Sequence, residues 1–227
     1  MTTENLPVLA ILGGTGDLGT GLARRWAQAG YEVIIGSRTL EKAEAAVADL
    51  REVMAERGVS EVTVQAMSNA DAAAAAEIVT LTVPFSHQVS TLESVRDALQ
   101  GKILIDVTVP LVPPRVARVQ LPPEGSAGQI AQELLGEEVA VVSAFQNVAA
   151  AHLQEGKGVE CDVLVSGNKK DARQQVIKLV EAAGMRGFHA GMINNAAAAE
   201  ALTSVLIAIN KQYGCHAGIK ISGLGDA

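Results

Sequence analysis

The stretch LAILGGTGDLGTGLARRWAQAGYEVIIGSR, residues 9–38, carries the pattern that decides the fold. An apolar segment runs into a group of glycines, a helix-compatible segment follows, and a second apolar segment ends at Arg38. Gly14, Gly16 and Gly19 form a GxGxxG motif between the first segment and the helix. Small residues there allow a tight turn and let the backbone approach a pyrophosphate, whose charge is attracted to the free amides of the helix. The stretch therefore predicts a strand, a phosphate-binding loop, a helix and a second strand.

Two alternatives remain open for this motif. Gly13 also permits a GxxGxxG interpretation, which shifts the register by one residue. The spacing can also mark no more than a tight turn between packed elements. The order of strand, glycine loop, helix and strand favours dinucleotide binding.

The end of the second apolar segment predicts which dinucleotide is bound. In such folds the second strand normally ends in Asp or Glu, which hydrogen-bonds the ribose hydroxyls of the adenosine. Here the chain continues as Gly36, Ser37, Arg38 and Thr39, and Lys42 follows one helical turn later. A carboxylate would repel a 2′-phosphate, whereas these hydroxyl and cationic groups would bind it. We therefore predict NADP(H), the alternative being a solvated arginine at a strand end.

The rest of the chain alternates short β-branched runs with longer helix-compatible stretches, which is typical of an α/β protein. Runs such as IVTLTV and ILIDVTV are too apolar to face water, so helices should cover both faces of a mostly parallel sheet. We predict a doubly wound, Rossmann-like α/β fold with helices on both faces and a C-terminal helical segment. The predicted strands are 8–12, 32–36, 62–66, 78–83, 103–107, 139–145, 162–166 and 186–189.

Two further segments have local predictions. The alanine-rich segment 69–77 is predicted to form a short helix capped by Asn69 or Asp71. The segment 110–123 contains five of the seven prolines, so we predict an irregular connection that lines the cleft. At 227 residues, the whole chain, 1–227, is predicted to be one NADP-binding domain.

Composition and charge exclude several classes of partner. A formal net charge of −7 and 48% hydrophobic residues argue against nucleic acid and anionic membranes. The N-terminus lacks a targeting pattern, and the apolar stretch 196–209 is interrupted by Glu200 and too short to span a bilayer. We expect a cytoplasmic protein. Cys161 and Cys215 are far apart and suggest no metal site, so both are expected to be buried free thiols.

The sequence offers few groups for acid–base catalysis. It has no Ser/His/Asp arrangement and no metal cluster, and we expect its four histidines, at positions 87, 152, 189 and 216, to be structural or surface residues. Hydride transfer between two redox cofactors needs mainly the alignment of two rings and the exclusion of water. The small number of acid–base groups in the sequence therefore fits hydride transfer, for which we expect no catalytic side chain and no metal.

A set of motifs along nearly the whole chain resembles the F420H2:NADP oxidoreductases, also called NADPH-dependent F420 reductases. The motifs are LGGTGDLGTGLA, GSRTLEKAEA, LTVPFSH, VTVPLVPP, VVSAFQNVAAAHL, and LTSVLIAINKQYG followed by AGIK. The resemblance implies hydride transfer between NADP(H) and the deazaflavin coenzyme F420, with carbon C5 of the deazaflavin facing carbon C4 of the nicotinamide.

The resemblance also implies roles for particular residues. Thr15, Gly16, Asp17 and Leu18 would lie on the pyrophosphate; Ser37, Arg38 and Lys42 on the 2′-phosphate; and Phe85, Val89 and Leu111 on the nicotinamide side. Pro84 would also bind the cofactor. The deazaflavin pocket would be formed by 146–150, including Gln146 and Asn147, and by 217–220, including Ala217. The C-terminal part, about 146–227, would thus complete a second-substrate pocket.

At two places the chain departs from the family pattern, and alternatives stay open for its function. Gln146 and Asn147 stand where members have His-Thr, and Phe85 stands where others have Trp. The second substrate could instead be a flavin, a ferric chelate, or a small imine or ketone. A noncatalytic NADP(H) sensor, which engages a partner through the apolar face of 196–209, is a further alternative. The same apolar helix suggests a homodimer.

Overall fold

The computed structural model describes residues 6–59, 61–156 and 158–223, which form an eight-stranded sheet. The sheet order is β3-β2-β1-β4-β5-β6-β7-β8, and every neighbouring pair is parallel except the antiparallel β6 and β7. All eight predicted strands form, with ends that differ by one or two residues. The strands are β1 Leu9–Leu12, β2 Val33–Ser37, β3 Val64–Ser68, β4 Ile78–Leu81, β5 Ile103–Asp106, β6 Ala140–Ser143, β7 Asp162–Gly167 and β8 Arg186–Gly191.

Helices cover both faces of the sheet, as predicted. They are α1 Asp17–Gln28, α2 Leu40–Glu56, α3 Asn69–Ala75, α4 Gln88–Val95, α5 Ala127–Leu135, α6 Ala150–Gln154, α7 Lys170–Ala182 and α8 Ala196–Tyr213. Because side chains alternate along a strand, Leu9 and Ile11 of β1 join a core with α1, α2 and α7. Ala10 and Leu12 join a second core with α3, α4, α5 and the start of α8. This is the doubly wound α/β arrangement.

The order of the strands places a crevice beside β1. β1 pairs with β2 on one side and with β4 on the other, so the winding reverses direction there. In open α/β sheets, ligands bind at the carboxyl ends of the strands at such a switch point. Within the described ranges, no helix is long and apolar enough to cross a membrane.

Two local predictions are corrected by the structure. The cap of α3 is Ser68, whose Oγ accepts a hydrogen bond from the Asp71 N–H at 3.2 Å, and not Asn69 or Asp71. Ser68 takes this role because it is the last residue of β3 and still has extended backbone angles. Cys161 and Cys215 are both free, but Cys215 is exposed because the chain leaves α8 at Gly214 just before it.

Glu200, which interrupts the apolar C-terminal helix, ties α8 to α5. Its side chain is 1% exposed and accepts hydrogen bonds from the backbone N–H groups of Ala127, at 2.7 Å, and Gly128, at 3.0 Å. These N–H groups belong to the first turn of α5 and have no intrahelical partner. Burial raises the pKa of Glu200 to about 8, although the two backbone bonds lower it, and the nearby Asp106 raises it further.

This raised pKa predicts the pH dependence of stability. Between its usual pKa of 4.5 and about 8, Glu200 holds a proton in the folded protein that it releases on unfolding. The free energy of unfolding should therefore fall as pH rises through that window, by at most about 1.4 kcal/mol per pH unit. Glu200→Gln should flatten this slope in urea unfolding measured from pH 5 to 8. An unchanged slope would contradict the assignment.

Candidate NADP(H) and second-substrate sites

A cavity of about 510 Å³ opens at the switch point beside β1, and we call it the main cavity. Its walls are the glycine loop after β1 and the segments that leave β2, β4 and β5. The predicted residues that line it are Thr15, Gly16, Asp17, Leu18, Gly19, Ser37, Arg38, Lys42, Pro84, Phe85 and Leu111. The proline-bearing connection after β5 thus reaches the cleft through Leu111.

The three glycines of the motif have different surroundings. A Cβ on Gly14 would lie 2.7 Å from the Ile11 carbonyl oxygen, and one on Gly19 would lie 2.7 Å from the Gly14 Cα. Gly14 therefore lets the loop turn back closely over the end of β1, and Gly19 lets α1 pack directly against the loop. A Cβ on Gly16 would meet no atom within 4 Å, so this glycine leaves open space at the cavity wall.

The first turn of α1 provides an anion-binding end. The helix begins at Asp17, and Gly16 in the cap position has no side chain with which to bond the first amides. The N–H groups of a first helical turn have no intrahelical partner and lie at the positive end of the helix dipole. Since Gly16, Asp17 and Leu18 line the main cavity, these amides can bind a phosphate group there.

The residues after β2 add positive charge to the cavity. Ser37 is buried, and its Oγ accepts a hydrogen bond from the Thr39 N–H at 3.2 Å, which shapes the turn. Arg38 and Lys42 are exposed at the cavity, and within the described part of the chain neither forms an ion pair. Two cations without a protein counter-ion can therefore bind a phosphate.

A second, smaller cavity of about 130 Å³ lies between the segment after β6 and α8. It brings together the three residues predicted for the far side of the site, Gln146, Asn147 and Ala217. The other residues that line it are Val148, Ala149, Thr203, Leu206, Ile207 and Asn210. We call it the second cavity.

Hydrogen bonds fix both amide side chains of the second cavity. Gln146 Nε2 donates to the Asp106 carbonyl oxygen and to Ser143 Oγ, both at 2.8 Å. Asn147 Nδ2 donates to the Ala199 carbonyl oxygen at 2.8 Å. The Oε1 atom of Gln146 is buried, and among the described residues it has no hydrogen-bond partner. Gln146 thus lines the second cavity with one buried acceptor whose hydrogen bond is not made within the described residues.

Two predicted residues do not line either cavity. Gly14 lies behind the main cavity, where its N–H donates to the Gly36 carbonyl oxygen at 3.0 Å. Val89 lies on α4 and is 41% exposed.

Comparison with known proteins agrees with this geometry. Residues 8–110 match the sequence model of the family described as "NADP oxidoreductase coenzyme F420-dependent". The chain is 39% identical to the F420-dependent NADP reductase of Methanocaldococcus jannaschii, over 95% of this chain and 98% of that protein. It is 41% identical to the enzyme of the same name from Methanothermobacter marburgensis, over 96% of this chain and 99% of that protein.

The chain belongs to this family. A crystal structure of a protein from Arthrobacter sp. FB24 has a similar fold, with a TM-score of 0.77 and 28% identity over 92% of this chain and 96% of that one. Sequence identity and fold thus extend over both cavities, well beyond the matched segment 8–110.

Several residues that line the main cavity were not predicted. Asn69 accepts a hydrogen bond from the Gly13 N–H at 3.2 Å through its Oδ1, and this bond supports the glycine loop from α3. Thr82 Oγ1 donates to the Leu12 carbonyl oxygen at 3.0 Å and joins the ends of β1 and β4. Both residues come directly after the last residue of a strand. This position in the sequence is the signal that could have identified them. His87, Thr91, Val107, Thr108 and Val109 also line the cavity.

A buried polar group supports the wall formed by the segment after β5. Asp106 accepts hydrogen bonds from the Thr108 N–H, at 2.9 Å, and from Gln88 Nε2, at 2.5 Å. Gln88 Nε2 also donates to the Ala127 carbonyl oxygen at 2.8 Å. Burial raises the pKa of Asp106, although these hydrogen bonds lower it. The bonds hold the backbone next to the cavity in place.

The contrast between two glycines gives a test of the phosphate site. Gly16→Ala should leave thermal stability nearly unchanged, because the added methyl meets nothing and the φ of −84° suits alanine. It should weaken NADPH binding by about tenfold or more, since the methyl blocks close approach of the pyrophosphate to the backbone. Gly19→Ala, the comparison variant, should lower the Tm because its methyl meets backbone atoms. Calorimetric titration and thermal unfolding would measure both, and unchanged NADPH affinity in Gly16→Ala would place the phosphate elsewhere.

Proposed function

We propose that this protein is an NADP-dependent oxidoreductase that transfers a hydride between NADP(H) and coenzyme F420. The observation that carries the proposal is the main cavity, where an open Gly16 backbone and two cations that form no ion pair with any described residue meet at a helix N-terminus. The curated relatives, named F420-dependent NADP reductases, support the choice of co-substrate. The C-terminal part of the chain supplies the second cavity.

The residues of the main cavity fit NADP(H). The amides at Gly16 and Asp17 would hold the pyrophosphate, and Arg38 and Lys42, with the Ser37 hydroxyl, would hold the 2′-phosphate. Phe85, Val107 and Leu111 offer apolar surface on the opposite side, which suits a nicotinamide ring. The main cavity thus offers a charged end for the phosphates of the coenzyme and an apolar end for its nicotinamide ring.

The proposed reaction requires mainly that the rings of the two coenzymes are aligned. When bound, the two coenzymes supply the hydride donor and the hydride acceptor. The protein's part is to hold both rings face to face and to exclude water, which accounts for much of the barrier reduction in such reactions. No side chain needs to form a covalent bond. His87 is the histidine that borders the main cavity, and it is exposed there.

The second cavity fits one edge of a deazaflavin ring. Its 130 Å³ is below the roughly 300 Å³ at which pockets begin to enclose a drug-sized ligand, so it can take an edge and not a whole ring. Gln146 Oε1 would accept a hydrogen bond from a ring N–H, and Asn147 would support the same edge. These are neutral groups, so the contact should not titrate near neutral pH.

We also propose a homodimer and a cytoplasmic location. Met192, Val205 and Tyr213, on α8 and just before it, are 53%, 43% and 76% exposed, and a second copy would cover them. Light scattering at several concentrations would measure the mass. Two free cysteines are consistent with a reducing compartment such as the cytoplasm.

A spectrophotometric screen tests the proposed function. NADPH is mixed with F420, FMN, FAD or a ferric chelate, and oxidation is followed with purified protein. Turnover with F420 above all others is the expected result. Turnover with another acceptor would change only the assignment of the second cavity, and NADPH binding without turnover would indicate a sensor.

The assigned 2′-phosphate site predicts cofactor preference. NADPH should bind at least about tenfold tighter than NADH, which is about 1.4 kcal/mol or more. Arg38→Asp should remove or invert this preference, because a carboxylate repels the phosphate and can bond ribose hydroxyls. Lys178→Asp, on the exposed side of α7, makes the same change of charge and should leave selectivity intact. Titration calorimetry with both nucleotides decides, and unchanged selectivity in Arg38→Asp would refute the assignment.

The Gln146 contact predicts a selective loss of the second substrate. Gln146→Ala should weaken F420 binding by about 1 to 3 kcal/mol, the scale for a polar group left unpaired, while NADPH affinity barely moves. Ser143→Ala, the control, removes one partner of Nε2 but keeps Oε1, so F420 affinity should persist. Gln146→His should introduce a titration of the rate near pH 6.5. If Gln146→Ala retains full F420 affinity and turnover, the deazaflavin binds elsewhere.

A further inference from the structure

Phe145, the residue directly before Gln146, has an unusual backbone conformation. Its φ is 72°, and it is the one non-glycine residue in the described ranges with a positive φ. An aromatic side chain disfavours this left-handed region because Cβ crowds the backbone. Such conformations persist only where the surrounding structure imposes them, and they are concentrated at functional sites.

The side chain of Phe145 shows what imposes the conformation. It is 1% exposed and packs edge-on against Trp26 of α1, with ring centroids 6.1 Å apart and planes at 74°. Trp26 is itself fully buried and fixed, since its Nε1 donates to the Leu179 carbonyl oxygen at 2.9 Å. Burial of the phenyl ring against a fixed partner therefore offsets the unfavourable φ.

The turn at Phe145 sets the direction of Gln146. β6 ends at Ser143, and the left-handed residue turns the chain so that Gln146 Nε2 reaches back to Ser143 Oγ and the Asp106 carbonyl oxygen. The Val148 N–H donates to the Phe145 carbonyl oxygen at 3.2 Å and closes the turn. With Nε2 held in this way, Oε1 is left without a hydrogen-bond partner among the described residues, in a side chain that lines the second cavity.

Helix α1, which contains Trp26, also contacts the segment that follows the turn. A Cβ on Gly21 of α1 would lie 2.6 Å from the Leu153 Cβ, so α6 packs directly on the helix at this glycine. Arg25 Nε donates to the Leu153 carbonyl oxygen at 3.1 Å. The helix whose first turn borders the main cavity thus anchors both ends of 145–153, the segment that carries Gln146.

We propose that Phe145, held by Trp26, is a positioning residue for the second substrate: its strained turn aims the Gln146 amide at the second ring. This proposal rests on the proposed hydride transfer, because it assigns the aimed amide to that substrate. Phe145 acts through Gln146 and through the placement of 146–149 relative to α1. It explains why a large aromatic residue stands at a backbone position that glycine or asparagine would occupy with less strain.

Four variants test the proposal. Phe145→Leu and Trp26→Leu each remove one ring of the pair, and Trp26→Phe keeps a ring against Phe145. Leu50→Ala, in α2 of the same core, lowers stability without touching the turn. Hydrogen–deuterium exchange of peptides covering 145–149 reports the turn without any substrate. Steady-state kinetics with F420 and NADPH, and NADPH titration, report function.

The expected results separate positioning from stability. In both leucine variants, exchange at 145–149 should accelerate and kcat should fall by about 10- to 100-fold, since a misplacement of about 1 Å can cost on the order of 100-fold. The KM for F420 should rise, and NADPH affinity should stay unchanged. Trp26→Phe loses the bond to Leu179 and should lower the Tm, but its exchange at 145–149 and its kinetics should stay close to those of the wild type. Leu50→Ala should lower the Tm and leave exchange at 145–149 and kinetics unchanged.

Other outcomes overturn the proposal. Unchanged exchange at 145–149 in the leucine variants would show that the ring pair does not hold the turn. Accelerated exchange with unchanged kcat and KM for F420 would show that the turn does not position the substrate. If Phe145→Leu does not fold, the comparison of Trp26→Leu with Trp26→Phe gives the same test. Absence of F420 turnover in the wild type would instead refute the proposed function, and the exchange data would still report on the turn.

Discussion

The close contact between α1 and the loop that leads into it is the constraint on which the site depends. A methyl group on Gly19 would lie 2.7 Å from the Gly14 Cα, so the helix and the loop can approach this closely only because Gly19 has no side chain. Because this contact brings the first turn of α1 to the carboxyl end of β1, its amides point into the crevice made by the reversal of winding. The charged residues after β2 border the same crevice, so one backbone contact brings amides and cations together.

The later turns of α1 support the other half of the site. Gly21, Arg25 and Trp26 contact the segment 145–153, whose residues reach the second cavity. One helix therefore sets the position of the phosphate-binding turn and of the Gln146 amide. For the proposed hydride transfer, a rigid element shared by both cavities would be a direct way to keep two rings at a fixed separation.

The parts of the fold that sequence predicts are those set by local pattern. Most of the strands are buried, continuous apolar runs, so they could be found from the sequence, and the glycine loop and Arg38 followed from their position between strands. The role of Glu200 could not be found in this way, because its partners lie 72 and 73 residues earlier in the chain. Asn69 was expected to cap its own helix, but its side chain supports the glycine loop 56 residues away. The positive φ of Phe145 could not be predicted for the same reason, because it depends on a contact with Trp26, which is far away in the sequence.

The buried acids explain how an acidic protein can hold anionic coenzymes. The pKa of Glu200 is raised to about 8, and that of Asp106 is also raised, both first of all by burial. At neutral pH Glu200 is thus mostly protonated, and a neutral carboxyl still accepts the hydrogen bonds that join α8 to α5. Both acids therefore provide bonds behind the cavities, and Glu200 adds little negative charge there. Arg38 and Lys42, exposed at the rim, can then dominate the local field although the net charge of the chain is −7.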